Sequence, residues 1–292
     1  MELYHYTDVT GLKGIIDNES IWATDIRFLN DSKELIAGIE QTKKFISKMS
    51  NLSELPELLE SPEFLEKEGL LLIKEMSKFE QFKSVNSALE EFLVKNLNNR
   101  NIYISSFTDK RDNLRQWMSY CPSNAGYCIA FEQSKLGLSE KEEHELGYVA
   151  NFEKVYYGKI ESLLINQYMD ILPIVHFMMS EKEGEALQSI HKMVGRLLFY
   201  CCAFKNEEFY DESETRFIMQ SNQKKTNVKN YRTKSGLLIP YMTYPAPKHS
   251  IKEIIIGPNI NAELAKQGLE DYLHSKGLNC TVSQSVCSLR VY

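Results

Sequence analysis

Two short runs of residues carry the groups in this chain that could do chemistry. The first is Leu3-Tyr4-His5-Tyr6-Thr7, and the second is Glu212-x-Glu214-x-Arg216. Side chains alternate between the two faces of a strand, so strands at these runs would present His5 with Thr7, and both acids with the arginine. The arginine would also favour the ionised form of a neighbouring carboxylate. The spacing therefore predicts one surface that carries the His5 imidazole and one that carries an ionised glutamate carboxylate.

Each run also has a structural interpretation that needs no chemistry. His5 could be a core histidine whose ring nitrogens are satisfied within the protein. The charged run could be a solvated edge strand with a surface ion pair, which contributes little to stability. The elements around the runs and their order in the chain help to separate these interpretations.

The first run opens a predicted unit of strand, helix and strand. Apolar residues at Leu12, Ile15 and Ile16 have helical spacing, and Ile21-Trp22 predicts a second strand that ends in a polar corner at 27–31. Further strands are expected at 101–108, 127–131, 149–157, 212–219, 237–240, 252–256 and 280–283, and further helices at 31–49, 114–120 and 261–275. We expect strands 101–108 and 127–131 to pair with each other. The apolar run Ile254-Ile255-Ile256 predicts a strand that is buried on both faces and central in the sheet.

Two segments interrupt the pattern of strands. Residues from about 51 to 99 are rich in Glu, Lys, Leu and Phe, and residues from about 159 to 204 carry apolar side chains at helical spacing. Both are predicted to be helical insertions, and the charge runs of the first fit solvated helix faces. Because the chain has no internal repeat and no linker, we expect one α+β domain over residues 1–292.

The composition is that of a globular protein. With 292 residues, of which 43% are hydrophobic, the chain is long enough to bury a sizeable core. The net charge of −6 argues against unselective capture of nucleic acid. A nucleic acid could still bind in one local basic groove. One basic stretch of this kind contains Lys224, Lys225, Lys229, Tyr231-Arg232 and Lys234.

Membrane insertion and metal binding are not expected. No stretch approaches the roughly 18 apolar residues of a membrane helix, and the first residues lack the pattern of a secretory signal, so a cytoplasmic location is predicted. The six cysteines form no C-x-x-C pair, and the six histidines are scattered without metal-ligand spacing. We therefore expect reduced thiols and no metal.

The order of the motifs resembles that of the ADP-ribosyltransferase superfamily, whose first core strand carries a histidine followed two residues on by Ser or Thr. The chain is similar to the bacterial DNA-targeting ADP-ribosyltransferase toxins and to the bacterial family called domain of unknown function 2971. The resemblance to the latter runs through Leu3–Thr7, Phe28–Glu34, Ile104–Phe107, Trp117–Tyr120, Gly126–Phe131, Glu212–Arg216, Pro240–Tyr241 and Ile254–Pro258. It implies a split mixed β-sheet core of the ADP-ribosyltransferase type, with helical insertions.

The resemblance implies a catalytic role for Glu214, Glu212 and His5. In this superfamily the second acid of Glu-x-Glu is catalytic, so Glu214 would hydrogen-bond a ribose hydroxyl of NAD and stabilise the oxocarbenium-like transition state. Glu212 would orient the acceptor or act as its base, and His5 would hold the adenosine-side ribose. Nicotinamide leaves as a neutral ring, so this chemistry needs neither a general acid nor a metal.

The resemblance also implies which residues contact the co-substrate NAD. Tyr6 and Thr7 would line the pocket for the nicotinamide amide, Arg27 would contact a phosphate, and Phe28 would stack on the nicotinamide ring. Histidine-class transferases carry a tyrosine where this chain has Phe28, so Tyr120 is a second candidate for stacking. The remaining cofactor-binding candidates are Asn30, which also fits a helix cap, Ser106 and Arg216.

The predicted function is ADP-ribosyl transfer from NAD by a bacterial toxin or antiphage effector, with an antitoxin protein as a further partner. A nucleic-acid acceptor, RNA or DNA, is favoured by the likeness to the DNA-targeting toxins. The alternatives are ADP-ribosylation of a protein, NAD glycohydrolysis, and a catalytically silent module that binds partners.

Overall fold

The computed structural model describes residues 1–29, 32–50, 101–121, 126–158, 197–221, 229–234, 236–258 and 261–287. The strands are β1 (Glu2–Asp8), β2 (Ser20–Asp25), β3 (Asn101–Thr108), β4 (Gly126–Glu132), β5 (Tyr148–Lys154), β6 (Tyr156–Tyr157), β7 (Phe204–Lys205), β8 (Glu214–Ser221), β9 (Asn230–Lys234), β10 (Leu237–Pro245), β11 (Ile251–Ile256) and β12 (Thr281–Gln284). The helices are α1 (Val9–Asn18), α2 (Ser32–Ser50), α3 (Leu114–Tyr120), α4 (Glu140–Leu146) and α5 (Ala262–Ser275). None of the helices within these ranges is long and apolar enough to cross a membrane.

Ten of the described strands form one mixed sheet. Its main path runs in the order β12-β11-β4-β1-β3-β2-β10-β9, and β8 joins β3 to β5 beside this path. The strands β11 and β12 are parallel, whereas the other pairs in this sheet are antiparallel. Together with the helices, this sheet confirms the predicted α+β class and its mixed sheet.

The two faces of the sheet bury different sets of apolar residues. The face that we call the main-core face carries Leu3, Phe107 and Phe217 together with the apolar stripes of α1 and α5. The opposite face, which we call the α3 face, carries Tyr4, Tyr6 and Trp117. The alternation predicted for the first strand is therefore confirmed, since Leu3 and the two tyrosines lie in different clusters.

The strand β3 shares one of its edges between two partners. Along that edge Tyr103 and Ile104 pair with β2, whereas Thr108 pairs with Tyr4 of β1. Between these points residues 105–107 have no strand partner on this side within the described sheet. The first two strands of the chain therefore diverge here, and we call the opening between them the sheet gap.

The short helix α1 connects β1 to β2, and both strands lie along the same edge of β3. Asp8 caps α1 by accepting a hydrogen bond from the Gly11 backbone N–H at 2.7 Å, which satisfies a donor that the helix leaves free. The helix ends at Glu19, whose φ of 47° turns the chain directly into β2. A ten-residue helix thus returns the chain to the same edge of β3.

The chain divides into two compact units. One comprises Met1–Asn30, Asn101–Val155 and Phe209–Tyr292, and it contains the ten-stranded sheet. The other comprises Asp31–Arg100 and Tyr156–Glu208, and its described part contains α2, the short parallel pair of β6 and β7, and a helical segment at 197–202. Most of the two predicted helical insertions lies outside the described residues, so their helical character and the single domain over 1–292 stay predictions.

Several local predictions differ from the structure. The strand β4 pairs with β1 and β11 and not with β3, because β3 uses its two edges for β8 and for β1 with β2. The run Ile254-Ile255-Ile256 is buried on both faces of the sheet, as predicted, but its strand β11 lies next to the edge strand β12 and is not central. Residues 230–234 form β9, whereas the sequence had indicated only a basic stretch.

Glycine at 257 is required by a close approach of the backbone to α3. A Cβ at this position would lie 2.9 Å from two ring atoms of Trp117 and 3.0 Å from the Gly126 carbonyl oxygen. We predict that Gly257→Ala lowers the free energy of unfolding by about 1–3 kcal/mol because the buried indole must shift. Urea denaturation measures this change. The control is Gly268→Ala in α5, where a Cβ meets nothing within 4 Å and should raise stability by up to about 1 kcal/mol; equal effects would contradict the prediction.

Candidate functional site

His5 lies at the sheet gap and binds the free edge of β3. Its Nδ1 is 2.9 Å from the Ser106 carbonyl oxygen, and its ring packs on Phe107 with centroids 5.4 Å apart. Because a carbonyl oxygen only accepts hydrogen bonds, Nδ1 carries the proton and Nε2 is left as an acceptor in the neutral ring. Burial lowers the pKa of His5 from its ordinary 6.5, the hydrogen bond to Ser106 opposes this, and the charge of Arg232 adds to the lowering.

An arginine and two aromatic rings lie at the same gap. Arg232 donates from Nη2 to the Thr24 hydroxyl at 2.9 Å, and its guanidinium carbon lies 5.7 Å from the centre of the Trp22 ring. The Trp22 and Tyr241 rings are tilted by 33° with centroids 4.8 Å apart. We call His5, Trp22, Thr24, Arg232 and Tyr241 the gap cluster. The charge of Arg232 lowers the pKa of His5, so the members of the gap cluster on either side of the sheet gap interact electrostatically.

Glu214 and Arg216 form a buried ion pair at the start of β8. Arg216 donates from Nε to Oε1 of Glu214 at 2.9 Å and from Nη2 to Oε2 at 3.1 Å. Their side chains are only 4% and 5% exposed, so this is not the solvated edge pair that a structural interpretation predicts. Two parallel hydrogen bonds from one guanidinium fix the orientation of the carboxylate.

Glu212 does not belong to the strand that carries Glu214. It ends a 3-10 helix over Glu207–Glu212, and Ser213 follows with a φ of 44°, which breaks the alternation predicted for the three charged residues. The Glu212 carboxylate accepts a hydrogen bond from the Tyr120 hydroxyl at 3.1 Å. Its carbonyl oxygen accepts from Thr108 Oγ1 at 2.7 Å and from Gln116 Nε2 at 3.2 Å. Two predicted site residues, Glu212 and the half-buried Tyr120, therefore meet, in a network that also includes Thr108 and Gln116.

Tyr6 and Thr7 point to opposite faces of the sheet. Tyr6 lies in the α3 cluster, donates to the Lys110 carbonyl at 2.9 Å, accepts from the Asn113 N–H at 3.0 Å, and stacks edge-on against Trp117. Burial raises the pKa of its hydroxyl. The ring of Tyr6 is thus used by the fold, and only Thr7 shares the face of His5.

Arg27 and Phe28 lie beyond the end of β2, in a 3-10 turn over Ile26–Phe28. Arg27 donates from Nε and Nη2 to the two carboxylate oxygens of Asp25 at 2.9 and 2.6 Å, and this hydrogen-bonded pairing raises the pKa of the guanidinium. Phe28 is partly exposed. Asn30 lies outside the described residues, so its predicted role is open.

The strand register decides which candidates share a face. Thr24 pairs with Ile104, and Ser106 pairs with Arg216, so these side chains lie on one face of the sheet together with Glu214. His5 aligns with Ile129 and contacts Phe107, which places its ring on the main-core face. The His5 imidazole and the Glu214 carboxylate therefore lie on opposite faces of the sheet. The sheet gap at Ser106 is the place where the two faces meet.

Several residues of this region escaped the sequence interpretation. Trp22 was assigned to a strand, Tyr241 to a motif of the family resemblance and Arg232 to a basic stretch, each without a role in the site. Glu153 of β5 lies directly opposite Arg216, and burial raises the pKa of its carboxyl group although Asn151 donates to it at 2.6 Å. The described ranges contain no group of three or more His, Cys, Asp and Glu side chains able to hold a metal.

The lowered pKa of His5 should make stability depend on pH. The unfolded chain binds a proton on this ring near pH 6.5 and the folded chain only at lower pH, so the free energy of unfolding falls as the pH drops below about 6.5. We predict that His5→Asn removes this part of the fall. Urea denaturation at a series of pH values measures it, with His274→Asn on the exposed side of α5 as the control. A pH dependence that His5→Asn leaves unchanged would contradict the prediction.

Removing the arginine from the buried pair should be costly. We predict that Arg216→Met lowers the free energy of unfolding by about 3–5 kcal/mol, because Glu214 loses its bidentate partner in a buried environment. The matched control is Arg111→Met. Arg111 makes a bidentate pair with Glu253 at the surface, and its loss should cost no more than about 1 kcal/mol. Thermal denaturation of both variants measures the difference, and equal costs would show that the Glu214–Arg216 pair is not protected from solvent.

The comparisons with known proteins concern the segment that contains α3 and the start of β8. Residues 116–217 match the model of a family described as a protein of unknown function, DUF2971, and this stretch includes Tyr120, Glu212, Glu214 and Arg216. No curated protein and no solved structure matches the chain. The family match supports the relationship of this chain to DUF2971 that the order of its motifs predicts.

Proposed function

We propose that the protein is an NAD-dependent ADP-ribosyltransferase that transfers ADP-ribose to a nucleic acid, as a cytoplasmic bacterial toxin or antiphage effector. The observation that carries the proposal is the sheet gap, where the hydrogen bond from Nδ1 to Ser106 leaves Nε2 of His5 as an acceptor and the charge of Arg232 acts on the same ring. A ribose hydroxyl is a donor that such an acceptor fits, and a phosphate is an anion that such a cation fits. The resemblance of the motif order to ADP-ribosyltransferases supplies the reaction.

Glu214 is the proposed catalytic carboxylate. Breaking the bond between the ribose and nicotinamide develops positive charge at the ribose C1′ atom, and an ionised carboxylate stabilises that charge. Arg216 keeps the acid ionised and oriented before the co-substrate binds. Because nicotinamide leaves as a neutral ring, the reaction requires no metal.

The register constrains how NAD would bind. Glu214 shares its face with Ser106, Thr24 and the pair Trp22 and Tyr241, whereas His5 reaches this side only through the gap. In the proposal, the dinucleotide therefore lies along this face over β3, and a hydroxyl of its adenosine-side ribose enters the gap to meet Nε2. Tyr6, which the fold holds on α3, and Arg27, which Asp25 neutralises, have no part in this arrangement.

The choice of a nucleic-acid acceptor rests on the resemblance to the DNA-targeting toxins and on basic residues in and next to β9, such as Lys229 and Lys234. Transfer to a protein and transfer to water are the enzymatic alternatives. An antitoxin protein is a further proposed partner, as in the systems that this chain resembles.

A catalytically silent module that binds partners is the second candidate function. The observation that favours it is the bidentate engagement of Glu214 by Arg216 in a site that is almost fully buried, which is the geometry of a structural ion pair. The two candidates differ in what happens when the carboxylate is replaced by an amide.

Labelled NAD and a cell lysate test the proposal. We predict transfer of label to RNA or DNA, and a loss of about 100-fold or more in the rate for Glu214→Gln, because the charge that stabilises the transition state is removed. The matched control is Glu253→Gln, which breaks a bidentate arginine pair at the surface and should keep the full rate.

Four outcomes separate the candidates. Label on protein would show that the acceptor is a protein and not a nucleic acid. Free ADP-ribose alone would indicate hydrolysis of NAD. A Glu214→Gln protein that is folded by circular dichroism and retains the full rate would exclude this acid from catalysis. No consumption of NAD by the wild-type protein, with any cellular effect kept in Glu214→Gln, would favour the silent module.

A further inference from the structure

Arg232 differs from the other arginines in the described part of the chain. Arg27 pairs with Asp25, Arg111 with Glu253, Arg115 with Asp211 and Arg216 with Glu214. Within these same ranges Arg232 makes no ion pair, and its Nε is buried without a hydrogen-bond partner. Its polar contact is with the neutral Thr24 hydroxyl. A half-buried cation without a counter-ion thus lies at the sheet gap.

This arrangement is unfavourable for the unliganded protein. Burial lowers the pKa of Arg232, which reflects the loss of hydration around the guanidinium. The Tyr241 phenol opposes this lowering electrostatically, and the Asp8 carboxylate, which is engaged as the cap of α1, opposes it less. Burying a charge without a partner is costly, and an anion that enters the gap would offset that cost.

The guanidinium is also held in one orientation. It lies against the Trp22 ring, which contacts Tyr241 on β10, and the ring comes close enough to α1 that a Cβ at Gly14 would be 3.3 Å from it. A planar guanidinium fixed on an aromatic face keeps its remaining N–H groups in a rigid fork, which matches the oxygens of a phosphate. The surroundings therefore orient Arg232 for binding before a ligand arrives.

We propose that Arg232 is the phosphate-binding residue of this site and that its ligand is the diphosphate of a nucleotide. The second group that specifies a nucleotide is His5, whose Nε2 accepts a hydrogen bond from a ribose hydroxyl on the other side of the gap. The identification of that nucleotide as NAD rests on the proposed function, but the binding of a diphosphate does not. Arg27, which the sequence suggested for this role, differs from Arg232 in that it already donates to both carboxylate oxygens of Asp25.

A nucleotide fits this site better than a nucleic-acid backbone does. A single-stranded chain requires a groove with several exposed cations and aromatic platforms in a row. Here one half-buried guanidinium lies over Trp22 and its charge acts on His5, so the site offers one cation together with one hydrogen-bond acceptor. Binding of an oligonucleotide is accordingly one of the outcomes that the experiment separates.

Titration calorimetry with ADP, inorganic pyrophosphate, adenosine and oligo(dT) tests the inference. We predict that ADP binds more tightly than adenosine and that Arg232→Gln weakens ADP binding by about tenfold or more while adenosine binding stays unchanged, since only the phosphate contact is lost. Arg111→Gln and Arg27→Gln are the matched controls and should change ADP affinity by less than about threefold, because their charges are already paired. Trp22 provides a second readout: ADP should change the tryptophan fluorescence of the wild-type protein, and Trp22→Phe should abolish that change.

A structural role for Arg232 would give a different result. Because Arg232 makes no ion pair with any residue in the described ranges, Arg232→Gln should leave the thermal midpoint of the unliganded protein unchanged or raise it, and ADP should raise the midpoint of the wild-type protein only. A lower midpoint together with unchanged ADP affinity would overturn the inference. Equal affinity for ADP and adenosine, loss of ADP binding in Arg27→Gln, or tight binding of oligo(dT) without ADP binding would also overturn it.

The same measurements separate this inference from the proposed function. Binding of ADP that depends on Arg232, in a protein that consumes no NAD, would keep the diphosphate site and remove the transferase. Transfer of ADP-ribose that is unaffected by Arg232→Gln, in a protein whose ADP affinity is also unaffected, would keep the transferase and remove the site.

Discussion

The arrangement of the proposed site depends on the sharing of one edge of β3. One strand edge cannot pair along its whole length with two strands that arrive from different directions, so β1 and β2 each take one end of it. The backbone groups between these ends need other partners, and the imidazole of His5 supplies one by donating to the Ser106 carbonyl. The same contact fixes the tautomer of the ring and leaves its other nitrogen for a ligand. The sharing of the β3 edge thereby determines that Nδ1 of His5 is a donor to the protein and Nε2 is an acceptor.

Two arginines of this sheet show how a buried cation can be accommodated. Arg216 is nearly inaccessible and has a bidentate acid beside it, an arrangement that balances its desolvation by direct attraction. Arg232 has an aromatic face and a hydroxyl but no acid, so its desolvation is only partly balanced. The first arrangement is complete within the protein, whereas the second becomes complete only with an added anion. This difference distinguishes a residue that holds the fold from one that is available for binding.

The sequence predicted local features well and long-range features poorly. The faces of Leu3, His5 and Thr7 followed from alternation alone, and the strands around 101–108 and 252–256 and the helix α5 followed from apolar patterning. Nothing in the sequence excluded Glu212 from the strand. Ser213 has a left-handed backbone, but a serine at that position does not indicate this conformation as a glycine would. The pairing of β3 was missed because partner choice depends on all the strands that compete for an edge. Arg232 was noticed only for its charge, since its lack of an acid partner is a property of the folded neighbourhood.

The position of β1 in the sheet bears on the order in which the protein can assemble. This strand lies between β3 and β4, and its residues therefore have partners that are about a hundred positions later in the chain. Contacts of such sequence separation form slowly, because the intervening segment must first be ordered. During synthesis on the ribosome, the earliest residues wait for β3 and β4, and the strands β9 and β10, which carry Arg232 and Tyr241, are added later still. A nascent chain would thus lack the gap cluster until most of its length has left the ribosome.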